Sequence, residues 1–331
     1  MAVATPSRSE FPQARSGLAV LAALAALAAG LRFADPGRIA WLQNFVIVFG
    51  ALLVEALPFV LLGAFAAAAI EVFVPPSAFE RLARLPRPLQ LPAAACAGVA
   101  FPVCECGSVP VARRLVQKGL APSAAVTFML AAPILNPVVL TATFIAYRGR
   151  STLWTMVLGR AALGLIVAVA VGWLMGAKRK EELLRSRADV EPHVEISEPR
   201  WSRFVAHLGG DFLFMARFLV VGGAIAAAVQ TFVPQTIIGS VAGTPVVDLL
   251  AMMGLAFLLS LCSESDAFVA ASFVQFGPSA QLAFLVFGPM VDMKLGALYV
   301  GTFSRGFFRT VVIAVAAVTL VGTLWLKVFF G

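Results

Sequence analysis

"FPVCECGSVPVARRL", Phe101–Leu115, sets two cysteines, a glutamate, two prolines and a twin arginine inside an apolar neighbourhood. A second stretch, "LCSESDAFVAAS", Leu261–Ser272, does the same with a cysteine, a glutamate and an aspartate. Such polarity is foreign to a plain membrane helix, so these two stretches decide how the chain is threaded.

The surroundings are a lipid-soluble chain. Of 331 residues, 60% are hydrophobic and 13% charged, and the mean hydropathy is +0.93. Soluble domains carry about 25% charged residues, so the fold class is an all-α polytopic membrane protein, with membrane lipid as solvent and partner. Lys and Arg number 25 against 17 Asp and Glu, for a net charge of +8. These bases fall in the gaps between apolar segments and not on one soluble face, so they read as topology signals, with no nucleic acid as partner.

Apolar stretches long enough to span about 30 Å of hydrocarbon run near 17 to 34, 43 to 73, 122 to 147, 152 to 176, 207 to 232, 279 to 303 and 307 to 329. The first reads as an uncleaved helix and not as a signal peptide, because its polar lead is long and further spans follow. Two more, near 91 to 118 and 245 to 276, are interrupted by the polar stretches. The hydrophilic linker "KRKEELLRSRADVEPHVEISEPRWSR", 178 to 203, marks the cytoplasmic side. With it inside, the bases Arg81, Arg84, Arg87, Arg113, Arg114 and Lys118 all fall inside if the segment from 91 to 118 is re-entrant. The base-free loops before and after 245 to 276 ask for a re-entrant excursion from outside. The expectation is about seven full spans and two re-entrant segments, with nine full spans as the alternative.

An internal repeat divides the chain. "FVLLGAFAAAAIEVFVP", 59 to 75, resembles "FLVVGGAIAAAVQTFVP", 218 to 234; Cys104 aligns with Cys262, and Asn136 falls near Asp292. The division is 1–40 for the tail and first helix, 41–176 for one permease repeat, 177–203 for a cytoplasmic linker and 204–331 for the second repeat. Three full spans and one re-entrant segment make an odd number of crossings, so the repeats are expected to be inverted, as in many secondary transporters.

The first polar stretch supplies helix breakers, Pro102, Gly107 and Pro110, and a half-helix expected to start near Ser108. Cys104 and Cys106 can converge on one soft, thiophilic solute when held in a turn. C-x-C alone supplies only two of the roughly four ligands of tetrahedral zinc, so no resident metal is expected. Glu105 between them is costly in lipid unless it serves a site or faces water. Cys96 reads as a packing residue, and Arg113 and Arg114 read as interfacial anchors. In the second stretch, Cys262 stands beside Glu264 and Asp266, candidates for proton exchange or cation coordination, since desolvation lets a carboxylate take up a proton. "APILNP" offers Asn136 bracketed by Pro133 and Pro137, and "GPMVDMK" offers Pro289, Asp292 and Lys294 at the matching place. Asp292 and Lys294, two residues apart, do not share a helix face, so a pair between them requires unwinding. Glu55, Glu71 and Arg217 are gate or counter-charge candidates, with snorkelling to the interface as the alternative.

No catalytic constellation emerges. The two histidines form no metal pattern, and no glycine loop cradles a phosphate, so neither enzyme activity nor a cofactor is expected. The segments "FPVCECGSVP", "APILNPVV", "LCSESDAFVAASF" and "GPMVDMKLG", in this order, resemble the signature segments of the predicted permease family that includes the YraQ and ArsP permeases. The resemblance implies a multi-pass permease of the bacterial inner (plasma) membrane. It further implies efflux of trivalent organoarsenicals, as in arsenical resistance, with Cys104, Cys106 and Cys262 as thiols and Asp266 as the acidic residue. The expected function is a secondary permease exporting a soft thiophilic solute or metalloid, with protons as the coupling ion. The alternative is a membrane thiol–disulfide redox protein, which expects Cys104 and Cys106 near an aqueous surface.

Overall fold

The computed structural model describes residues 40–75, 86–100, 103–176, 184, 199–232 and 246–330. The stretch from 17 to 34, Pro102 and most of the hydrophilic linker lie outside these residues. The described residues form helices α1 (Ala40–Phe73), α2 (Arg87–Ala100), α3 (Glu105–Gln117), α4 (Pro122–Leu135), α5 (Pro137–Ala146) and α6 (Leu153–Met175). They continue as α7 (Arg200–Phe232), α8 (Val247–Leu259), α9 (Asp266–Ser272), α10 (Pro278–Phe287), α11 (Met293–Thr302) and α12 (Arg305–Phe330). Leu184 and Phe303 form an isolated antiparallel bridge.

Among the described residues, five helical units are long and apolar enough to cross a membrane: α1, α4 with α5, α6, α7 and α12. This is an all-α, multi-pass membrane protein. Large apolar side chains such as Val54, Trp173, Val274 and Val321 are left exposed, as lipid-facing residues are. The other helices are short. At about 1.5 Å per residue, none of α2, α3, α8, α9, α10 or α11 alone covers 30 Å of hydrocarbon.

The short helices come from interruptions. The stretch from 91 to 118 breaks before α3, because Cys104 is extended and the Ser108 N–H already bonds the Cys104 carbonyl at 3.0 Å. The half-helix therefore begins at Glu105, ahead of the Ser108 start expected from sequence, and Gly107 and Pro110 lie within it. Pro133 likewise lies within α4. The break in that span falls at Asn136, with Pro137 opening α5. The stretch from 279 to 303, expected as one span, is two ten-residue helices, α10 and α11, separated by Gly288–Asp292. Pro289 has no N–H to continue α10, and Asp292 restarts the chain by accepting a 2.6 Å hydrogen bond from the Leu295 N–H. A further break, Ser260–Ser265, separates α8 from α9.

Packing brings the breaks together. α1 lies along α7, α3 lies on α1 and α4, and α11 lies on α7 and α3. Contacts α2–α4, α4–α6 and α2–α6 have counterparts in α8–α10, α10–α12 and α8–α12. Glycine permits two of these approaches. A Cβ at Gly63 of α1 would collide with the backbone of Gly107 in α3, and one at Gly222 of α7 would sit 3.0 Å from the Lys294 Cα in α11.

Candidate solute-binding site

Each of the four breaks restarts on a helix whose first residue or N-cap is polar. Glu105 opens α3, Asn136 caps α5, Asp266 opens α9 and Asp292 caps α11. Acids at these places are stabilised by unpaired N–H groups and by the positive end of the helix dipole. Local capping is therefore one reason why these side chains survive in so apolar a chain. Asn136 is spent this way, its Oδ1 accepting from the Val138 N–H at 2.9 Å.

The remaining polar groups form a connected cluster where α3, the Ser260–Ser265 break and α11 meet. The Cys262 thiol donates to Glu264 Oε2 at 2.9 Å. Ser263 Oγ donates to Glu105 Oε2 at 2.9 Å and reaches Glu264 Oε2 at 3.4 Å. The ammonium of Lys294, 1% exposed, stands 3.1 Å from Glu105 Oε1 and 3.9 Å from Asp292 Oδ2. The Lys294–Asp292 approach exists because the chain is unwound through residue 292. The Cys104 thiol lies within side-chain interaction range of Cys106 and Cys262. All three cysteines are unbridged and buried, whereas Cys96 is exposed on α2. Ser260, held at a positive φ of 47°, ties two breaks together, since its Oγ accepts from the Met293 N–H at 3.1 Å.

Ligand atoms of Glu105, Cys262 and Glu264 all lie within 4.8 Å of one another, close enough to share one cation. The structure thus gathers Cys104, Glu105, Cys106, Cys262, Glu264, Asp292 and Lys294. Asp266 is engaged beside them. Both of its carboxylate oxygens accept 2.8 Å hydrogen bonds from the guanidinium of Arg160, which is 0% exposed. Arg160 also donates to Thr143 Oγ1 at 2.9 Å and to the Ser263 carbonyl at 3.1 Å.

Sequence reasoning missed Arg160. The signal was present as a lone arginine inside the apolar run of α6, where an ionisable residue marks a buried partner. It also missed Ser263 as the link between the two polar stretches. Glu55 was a counter-charge candidate; its Oε1 accepts from Ser265 Oγ at 3.0 Å, which places it at the edge of the cluster.

The twin arginines are not interfacial anchors. Both are buried, and Arg114 donates from Nε and Nη2 to the two oxygens of Asp211 at 3.1 and 3.2 Å. Glu71 completes this second charged group, 3.7 Å from Arg114 and 3.3 Å from Lys118. The reason is geometric: Glu71 of α1 and Asp211 of α7 both reach the last turn of α3, so those bases meet carboxylates before they reach the interface. Arg217, another counter-charge candidate, stacks on the Phe214 and Phe218 rings at 4.2 and 4.9 Å.

Known proteins are similar to this chain in sequence. The UPF0718 protein YcgR of Bacillus subtilis (strain 168) is 37% identical over 288 residues, covering 85% of this chain and 96% of the relative. A candidate two-component membrane permease complex subunit of Streptococcus mutans serotype c is 36% identical over 252 residues, covering 75% of this chain and 83% of the relative. No solved structure matches. The family model described as "Predicted permease" matches residues 41–327, all four breaks included, and the chain belongs to that predicted-permease family of membrane transporters.

Proposed function

We propose that the protein is a secondary permease of the bacterial plasma membrane that exports a soft, thiophilic solute, with two inverted halves alternating access to one site. The observation that carries this reading is the meeting of three buried thiols with Glu105, Glu264 and Lys294 at helix breaks. Broken helices converging on a polar cluster are the usual form of a transporter site. Substrate contacts fall to Cys104, Cys106 and Cys262. Proton coupling falls to Glu264, half-buried at the end of the hydrogen-bonded chain, in exchange for the exported solute.

The repeat, inverted or parallel, draws support from contacts between equivalent residues. Cys104 and Cys262 are 262 minus 104, or 158, residues apart, and Glu105 and Ser263 have the same offset. Cys104 lies near Cys262, and Ser263 donates to Glu105, so equivalent positions meet each other, as expected about a two-fold axis. Burial of Cys104 and Cys106, each 1% exposed, favours transport over exchange with a soluble dithiol, which would need an accessible sulfur.

The test is uptake of trivalent methylarsenite and of soft metal ions by inverted membrane vesicles under an imposed proton gradient. Wild type is expected to accumulate at least one of them, and the Cys104→Ser/Cys106→Ser double variant none, with both proteins present at equal levels. Equal accumulation by the two would remove the thiols from the mechanism.

A further inference from the structure

We infer that Glu105, Cys262 and Glu264 form a binding site for a thiophilic divalent cation, and that Lys294 is a tethered cation that occupies its edge when no solute is bound. The inference rests on the export reading and names its substrate class and the residue that offsets part of the empty carrier's charge.

The ligand set is mixed. One thiol and two carboxylates, with ligand atoms within 4.8 Å of one another, suit a borderline or soft divalent ion such as zinc or cadmium. A neutral organoarsenical would use the thiols but gain nothing from the carboxylates. Charge points the same way. Asp266 is matched by Arg160, which leaves Glu105 and Asp292 with Lys294 as their one cationic contact among the described residues, and Glu264 joined to them only through Ser263. Three carboxylates against one ammonium leave room for two positive charges. On coordination the cation replaces the proton of Cys262 Sγ, which passes to solvent.

Lys294 is placed to yield. Its ammonium lies between two carboxylates, 3.1 Å from Glu105 Oε1 and 3.9 Å from Asp292 Oδ2. Asp292 Oδ2 is buried and has no hydrogen-bond partner among the described residues, while Oδ1 is committed to capping α11. An incoming cation at Glu105 repels the ammonium, and the free Asp292 oxygen is the nearest place to receive it. A short side-chain swing therefore exchanges a tethered charge for a transported one. In the empty site the ammonium offsets part of the carboxylate charge during the return step, which bare carboxylates in lipid would leave unopposed.

The experiment is isothermal titration of the purified full-length protein in detergent with cadmium chloride at one fixed pH. Wild type is expected to bind one ion, and Glu264→Gln and Cys262→Ser to lose binding. Lys294→Met is expected to bind about tenfold more tightly, because the internal competitor is gone, and Asp292→Asn to bind about tenfold more weakly, within the usual range of site coupling. Asp292→Asn removes no cation ligand and keeps the helix cap, so it decides the question even if Lys294→Met does not fold. Affinities of Lys294→Met and Asp292→Asn equal to wild type would overturn the role of Lys294. No cadmium binding by folded wild type, with thiol-dependent methylarsenite export intact, would overturn the cation site and leave the export reading standing. Cadmium binding without transport of any solute would overturn the export reading instead.

Discussion

Arg160 and Asp266 show how much a single pair can carry in a chain with so few charges. The pair is fully buried and bidentate, and through the Ser263 carbonyl it also fixes the loop that holds Cys262. Removing one partner leaves an uncompensated charge, so Arg160→Met is expected to lower stability by about 3–5 kcal/mol, read as a lower melting temperature in detergent. Replacing both, as Arg160→Met/Asp266→Leu, should recover most of that loss, and a double variant as unstable as the single one would show that the pair is not the cause. The cysteines and acids of the site were legible in the sequence because each is conspicuous in an apolar stretch. Their partners were not. Nothing local in the run around Arg160 says that its partner lies 106 residues away, and nothing in "RR" says that Arg114 meets Asp211 instead of the interface.

Among the helices, length and hydropathy located the apolar runs of α1, α6 and α12 to within about three residues, whereas α7 begins at Arg200, ahead of the 207 expected, because its first turns are polar. The places where helices break were read less well. Proline marks a missing N–H, yet Pro110 and Pro133 are absorbed inside helices, while extended Cys104 and the caps Asn136 and Asp292 set the actual ends. How the half-helices are held follows from glycine. Gly63 lets α1 press on Gly107, two residues from Glu105 and one from Cys106, so a side chain there moves the site-bearing turn. Gly63→Ala is expected to destabilise the protein and reduce transport. Gly209→Ala in α7, where an added Cβ meets nothing within 4 Å, should instead stabilise by about 1 kcal/mol through helix propensity alone. Thermal melting and vesicle transport of the two variants check this directly, and opposite signs are required.

For the molecule as a whole the question is orientation, because alternating access by inverted halves depends on two re-entrant segments in place of two further spans. The isolated bridge between Leu184 and Phe303 bears on this. Leu184 belongs to the hydrophilic linker, and Phe303 lies at the turn between α11 and α12, so that turn shares a membrane face with the linker. Seven spans with two re-entrant segments put residue 304 on the linker's face of the membrane and residue 275 on the opposite face, which is the outside if the linker is cytoplasmic. Nine spans reverse both. Gln275→Cys and Ser304→Cys, each in a Cys96→Ser background so that the remaining native thiols are buried, separate the two arrangements. With a membrane-impermeant maleimide, Gln275→Cys is expected to label in right-side-out vesicles and Ser304→Cys in inverted ones. The reverse pattern would make the halves parallel. The matched packing of α2, α4 and α6 with α8, α10 and α12 would then need a two-fold axis along the membrane normal, and exchange of access by inversion would no longer follow from the fold.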